Sequence, residues 1–191
     1  MQIRKNIYIQ KTLFILALGW ALLHPSFSYA QWPEVLSSAW DDSFREWQVY
    51  GEGEEQIGFI KMQYEFNNDW TEWMYQIGDE SGFIRNKFKN DPNLWELRGG
   101  NLVYNARTQW PNDPLTWLIS GEGAKITLKS KYTNILGEWS TTDSNVGDFM
   151  MYTFYENDPR DWETRENLDA DKLHLKVFLM FLVVINSAPR L

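Results

Sequence analysis

The sequence predicts an all-β domain of six tandem β-hairpin repeats of about 22 residues, forming an antiparallel meander sheet that rolls into a barrel or a sandwich-like single domain. Three observations predict it. Six tryptophans, Trp47, Trp73, Trp95, Trp117, Trp139 and Trp162, follow one another at intervals of 26, 22, 22, 22 and 23 residues. Five residues before each stands an Asn or Asp: Asp42, Asn68, Asn90, Asn112, Asn134 and Asn157. Glycines recur shortly after, in Gly51-Glu52-Gly53, Gly78, Gly99-Gly100 and Gly121-Glu122-Gly123. A fixed period of this length means one supersecondary unit copied along the chain.

Each element of the unit has a physical reason. Three units read Asn-Asp-Pro before the Trp (90–92, 112–114 and 157–159). Asn and Asp bond their own backbone two residues on, and Pro presets φ for a turn's second position. The turn feeds a short strand in which the Trp shares a face with the residue two beyond it, as in Trp47/Val49, Trp73/Tyr75, Trp95/Leu97 and Trp117/Ile119. Glycine then marks the hairpin reversal. On the return strand an aromatic stands fifteen residues after the Trp, at Phe88, Trp110, Tyr132 and Phe154, joined by Phe66 if the first hairpin holds four extra residues. Four positions earlier stand Met62, Ile84, Ala106, Leu128 and Met150, and polar residues alternate between. This period of two predicts one apolar and one polar face. In layout the chain is similar to hairpin-repeat proteins of the MORN type, built from units of similar length. It lacks their Tyr-x-Gly opening, so the resemblance implies nothing about residue roles.

The two ends break the repeat. Arg4, Lys5 and Lys11 precede the apolar run 13–23, and Ser28-Tyr29-Ala30 reads as a small-x-small cleavage site, so residues 1–30 are predicted to be a secretory signal peptide. The mature chain then begins near Gln31. Residues 31–41 form an N-terminal capping segment, with Val35, Leu36, Ala39 and Trp40 at helical spacing after Pro33 predicting a short helix. The repeat domain occupies 42–191. Its last stretch reads as an apolar strand or as a helix from Asp171 to Ile185, and the phase of Leu173, Leu175 and Val177 favours the strand. Twelve strands with one apolar face must bury it, and a closed barrel of that size leaves a wide lumen for rings and the apolar tail to fill.

Composition bounds the function. Without Arg4, Lys5 and Lys11 the chain holds 15 basic against 26 acidic side chains, a net charge of −11. That argues against nucleic acid or an anionic membrane as partner. There is no cysteine, so disulfides, metal-thiolate sites and lipid attachment after the leader are excluded. The expected location is secreted, periplasmic or on the outer surface of a Gram-negative bacterium, with no transmembrane segment in the mature chain.

Chemistry is poorly represented. His174 is the one histidine of the mature chain, and no nucleophile motif accompanies it. Glu52, Glu72, Glu122 and Glu138 recur at equivalent places, whereas a glycosidase-type acid and base pair breaks symmetry. Asp91, Asp113 and Asp158 have oxygen ligands for Ca²⁺, but turns already explain them. No enzyme activity, cofactor or metal is predicted. What remains is binding: Trp32, Trp40 and Trp70 are the rings least accounted for by the repeat, and Arg85, Lys87, Arg107, Lys129 and Lys131 form an outward cationic row. The expectation is a non-enzymatic exported module that binds a glycan or an envelope protein through one sheet face. The alternatives are a purely structural or assembly component of the envelope and a carboxylate-dependent glycan-active enzyme.

Overall fold

The computed structural model describes residues 32–189 except positions 90 and 157, so the leader read over 1–30 and the turn residues Asn90 and Asn157 lie outside the described residues. Twelve antiparallel strands run as a meander: β1 (Val35–Trp40), β2 (Ser43–Tyr50), β3 (Gln56–Met62), β4 (Glu72–Ile77), β5 (Glu80–Asn86), β6 (Leu94–Gly99), β7 (Leu102–Thr108), β8 (Thr116–Gly121), β9 (Ala124–Ser130), β10 (Glu138–Thr142), β11 (Phe149–Thr153) and β12 (Asp161–Glu166). β1 pairs with both β2 and β12, which closes the sheet into a barrel. A single α-helix among the described residues, α1 (Leu173–Ser187), follows.

The six tryptophans stand on alternate strands, β2 to β12, and all are buried in the lumen. Each faces an apolar residue across the ladder: Ile60, Ile84, Ala106, Leu128 and Met151 for the first five, and Leu36 of β1 for Trp162. The period has a hydrogen-bonding basis. The indole N–H of Trp73, Trp95, Trp117, Trp139 and Trp162 donates to the carbonyl three residues earlier, at 2.8–3.1 Å. In the same turns the carboxylates of Asp69, Asp91, Asp113 and Asp158 accept the backbone N–H two residues on. A buried Trp thus fixes its own turn, which is why turn and ring recur together.

The two mouths of the barrel differ. At one rim five of the six tryptophan strands enter from loops of seven to nine residues and β2 from the turn Asp41-Asp42, and at the other β4, β6 and β8 leave through two-residue turns and β2 and β10 through connections of five and six residues. In the two-residue turn between β8 and β9, Glu122 and Gly123 both have positive φ, 48° and 77°, as a type I′ hairpin requires.

Helix α1 fills the lumen. Thirteen successive residues, Leu173 to Ile185, are buried on every side of it. A helix without a polar face has no stable place on a surface, and a twelve-stranded barrel has an interior that side chains from its own wall do not fill. Each solves the other's problem. Phe181 sets its ring edge-on to Trp73 and Trp95, with centroids 5.4 and 5.0 Å apart. At the long-loop rim Ser187 Oγ accepts from the Trp139 indole at 2.9 Å and donates to the Leu136 carbonyl at 2.9 Å.

At the tight-turn mouth the first turn of α1 carries two buried polar side chains. The Tyr75 hydroxyl and His174 Nδ1 share a hydrogen bond at 2.6 Å, and Nε2 faces Glu80 at 3.4 Å. Burial holds the His174 pKa below its ordinary value, with Glu80 opposing, and pushes the Tyr75 hydroxyl up. Lys176, 1% exposed, reaches Glu166 at 3.3 Å and lies over the Trp32 ring at 4.8 Å. Gly99 makes this possible: a Cβ there would stand 2.1 Å from the Tyr75 hydroxyl oxygen and 2.5 Å from His174 Nδ1. Gly99→Ala is therefore expected to destabilise by about 1–3 kcal/mol through overpacking, read as a lower urea midpoint.

Four expectations need correction. Residues 33–40 do not form a capping helix, because β12 and β2 would otherwise present open edges, and β1 satisfies both. The C-terminal stretch is a helix and not the favoured strand. With the closing position taken by β1, the apolar run folds into the lumen, and His174 sits in a core helix turn instead of on an outward strand position. Met150 points outward and Met151 inward, since Trp139 pairs with the residue twelve positions on, where Trp73, Trp95 and Trp117 pair with the residue eleven positions on. The aromatics at Trp plus fifteen lie beyond the ladder, where alternation no longer sets the face, and they are exposed.

Candidate binding groove on the barrel wall

The outer face of β5 to β10 carries the cationic row, and the ladder register fixes its layout. Asn105, Ser120 and Lys125 form one cross-strand line over β7, β8 and β9, and Arg107, Leu118 and Thr127 form the next. Lys129 stands opposite Thr116 one step nearer the long-loop rim. The first two lines, with Lys87 just past β5 and Leu94 of β6, border a groove of about 570 Å³ that has Asp143 at one edge. Past Lys129 the wall runs into a second cleft of about 510 Å³, walled by Trp110 and Tyr132 and lined by Gln109, Lys129 and Lys131.

The structure divides the predicted row. Arg85 is committed to Glu96 at 2.9 Å, and Arg98 binds the same carboxylate oxygen at 2.7 Å. Glu96 is nearly buried on this outer wall, and the Arg98 hydrogen bond, with help from Arg85 and against burial, holds its carboxyl below the usual range. Lys131 is bound by Glu138 at 2.7 Å, which pushes its ammonium pKa up. Lys87 donates to Asn105 at 3.2 Å. Arg107 and Lys129 are exposed and make no ion pair with a described residue. Lys125 belongs to the same groove and was not singled out from the sequence. Its signal was present: positions 125, 127 and 129 alternate on the outward face of one strand.

No family model, curated protein or solved structure matches this chain.

The three tryptophans outside the repeat lie apart from the groove. Trp40 is exposed at the long-loop rim. Trp70, half-buried, packs on Trp73 and donates from its indole to Asn68 at 3.0 Å. Its carbonyl is the one Trp73 uses, so it fills the role of Pro92, Pro114 and Pro159. Trp32 is half-buried at the opposite mouth, its indole donating to Glu166. The structure does not bring these rings together with one another or with the cationic row. Among the described residues no group of three or more His, Asp or Glu is placed to hold a metal ion, and no helix is long and apolar enough to cross a membrane.

Proposed function

We propose that this protein is an exported, non-enzymatic binding module that holds an acidic glycan against the outer wall of β6 to β9. The observation that carries this reading is the groove: Lys87, Arg107 and Lys125 surround a shallow floor of Leu118 edged by Asn105, Ser120 and Thr127, on a chain of strongly negative net charge. Unpaired cations suit sulfate or carboxylate groups, amide and hydroxyl side chains suit sugar hydroxyls, and an apolar floor suits a pyranose face. The adjoining cleft adds two rings, Trp110 and Tyr132, on which a further sugar can stack.

The test is equilibrium binding to sulfated and uronate-containing oligosaccharides at low ionic strength. Wild type binds, and Arg107→Ala and Lys129→Ala each weaken binding about tenfold or more, since each removes a charge-assisted hydrogen bond. Raising the salt weakens the wild type as well. Failure of the wild type to bind any acidic oligosaccharide, or equal binding by both variants, overturns the reading.

A further inference from the structure

The long-loop rim carries a second feature, which shares only Trp110 and Tyr132 with the cleft beside the groove. Each of its six connections presents at least one exposed aromatic ring: Trp40, Phe66, Phe88, Trp110, Tyr132 and Phe154, with Tyr64 beside Phe66 and Tyr155 beside Phe154. Phe66 is fully exposed, at 105%, and the others are about half exposed. None of the tight-turn connections at the other mouth exposes a large apolar side chain among the described residues. Six of these rings, Trp40, Tyr64, Phe88, Trp110, Tyr132 and Tyr155, each stand two residues beyond the strand residue that pairs with the next repeat tryptophan, so they share one register position around the closed rim. The result is an annulus of exposed rings around the long-loop rim.

We infer that this rim seats the protein on the surface of a lipid bilayer whose headgroups carry an ammonium group. An annulus of rings at one register position is complementary to a planar surface, and aromatic side chains partition to the headgroup level of a bilayer. Charge selects the lipid. The same six loops hold eight carboxylates and four cations, so the rim is itself acidic and repels an anionic membrane. Ring faces beside free carboxylates such as Asp41, Asp42 and Glu65 attract ammonium groups, by cation–π attraction and by ion pairing.

Vesicle co-flotation of the full mature chain tests this. It is expected to float with phosphatidylcholine or phosphatidylethanolamine vesicles and progressively less as phosphatidylglycerol replaces them. The double variant Phe66→Ser/Phe88→Ser, whose rings touch neither the core nor the cationic groove, lowers the partition coefficient roughly tenfold or more while thermal unfolding and oligosaccharide binding stay as in the wild type. Three outcomes overturn the inference: no co-flotation of the wild type, co-flotation that the double variant leaves unchanged, or a wild-type dimer in solution that the double variant dissociates, which would make the rim an interface between two copies. Loss of oligosaccharide binding in Arg107→Ala with flotation intact separates the fate of the groove from that of the rim.

Discussion

Phe181→Ala is expected to lower the free energy of unfolding by about 3–5 kcal/mol, as large buried aromatics do when truncated. The ring has no exposed surface and lies between two of the repeat tryptophans, so its removal leaves a cavity bounded by Trp73 and Trp95 on the wall and by α1 on the axis. Closed barrel strands cannot collapse inward to fill it without breaking their ladder, and the cost therefore falls at the upper part of that range. Against a typical total stability of about 5–15 kcal/mol the loss is severe. Urea denaturation followed by tryptophan fluorescence reads it directly. Phe66→Ala provides the contrast: the ring is fully exposed, and its truncation is expected to leave the midpoint unchanged.

The second large effect lies at the tight-turn mouth. Glu166 accepts from the Trp32 indole, from the Leu168 backbone N–H and from Lys176. Glu166→Ala strips all three of their acceptor and leaves a buried ammonium without a counter-charge, a change that costs about 3–5 kcal/mol in comparable settings. Replacing Lys176 by Met at the same time is expected to restore most of the loss, because the expensive element is the orphaned charge and not the missing ion pair. Burial brings the Lys176 pKa down to about 8 from an ordinary 10.5, with Glu166 opposing. In the unfolded chain this lysine keeps its proton up to the higher value, so between pH 8 and 10 the unfolded state binds more protons and stability rises with pH, by roughly 3 kcal/mol at full extent. Above pH 10 the buried tyrosines reverse the trend, since burial holds the hydroxyls of Tyr75 and Tyr104 protonated only in the folded state. Lys176→Met is expected to abolish the rise between pH 8 and 10 and to keep the fall above it. Urea midpoints measured at half-unit steps distinguish the two.

How much of this was legible in the sequence depends on which forces were local. The tryptophan period, the Asx turns and the inward positions Ile84, Ala106 and Leu128 follow from turn chemistry and strand alternation, both of which act within a dozen residues. The closing strand was not legible. Its helical spacing of Val35, Leu36, Ala39 and Trp40 is real, but eight residues of helix gain less than pairing with two open strand edges, 3–15 and 124–128 residues away along the chain. The lumen helix was ambiguous for a related reason. A helix buried on all sides shows no amphipathic period, and the polar His174 and Lys176 at alternate positions imitate a strand. Their true partners, Tyr75 and Glu166, come from the folded barrel. The groove was half legible: outward alternation located Arg107 and Lys129, while the neutralisation of Arg85 by Glu96 depends on the register between β5 and β6. The rim aromatics were visible as a repeat but assigned to the wrong face, because the strands end one to four residues before them.

The functional reading rests on the wall between β5 and β10 offering unsatisfied positive charge over a shallow, hydroxyl- and amide-edged floor. A titration of isotope-labelled protein with a sulfated or uronate oligosaccharide, followed by backbone amide shifts, reports on that wall residue by residue. The account predicts shifts confined to Lys87, Asn105, Arg107, Ser120, Lys125, Thr127 and Lys129 and their neighbours. An unchanged spectrum at millimolar ligand, or shifts that map to the tight-turn mouth instead, would contradict it.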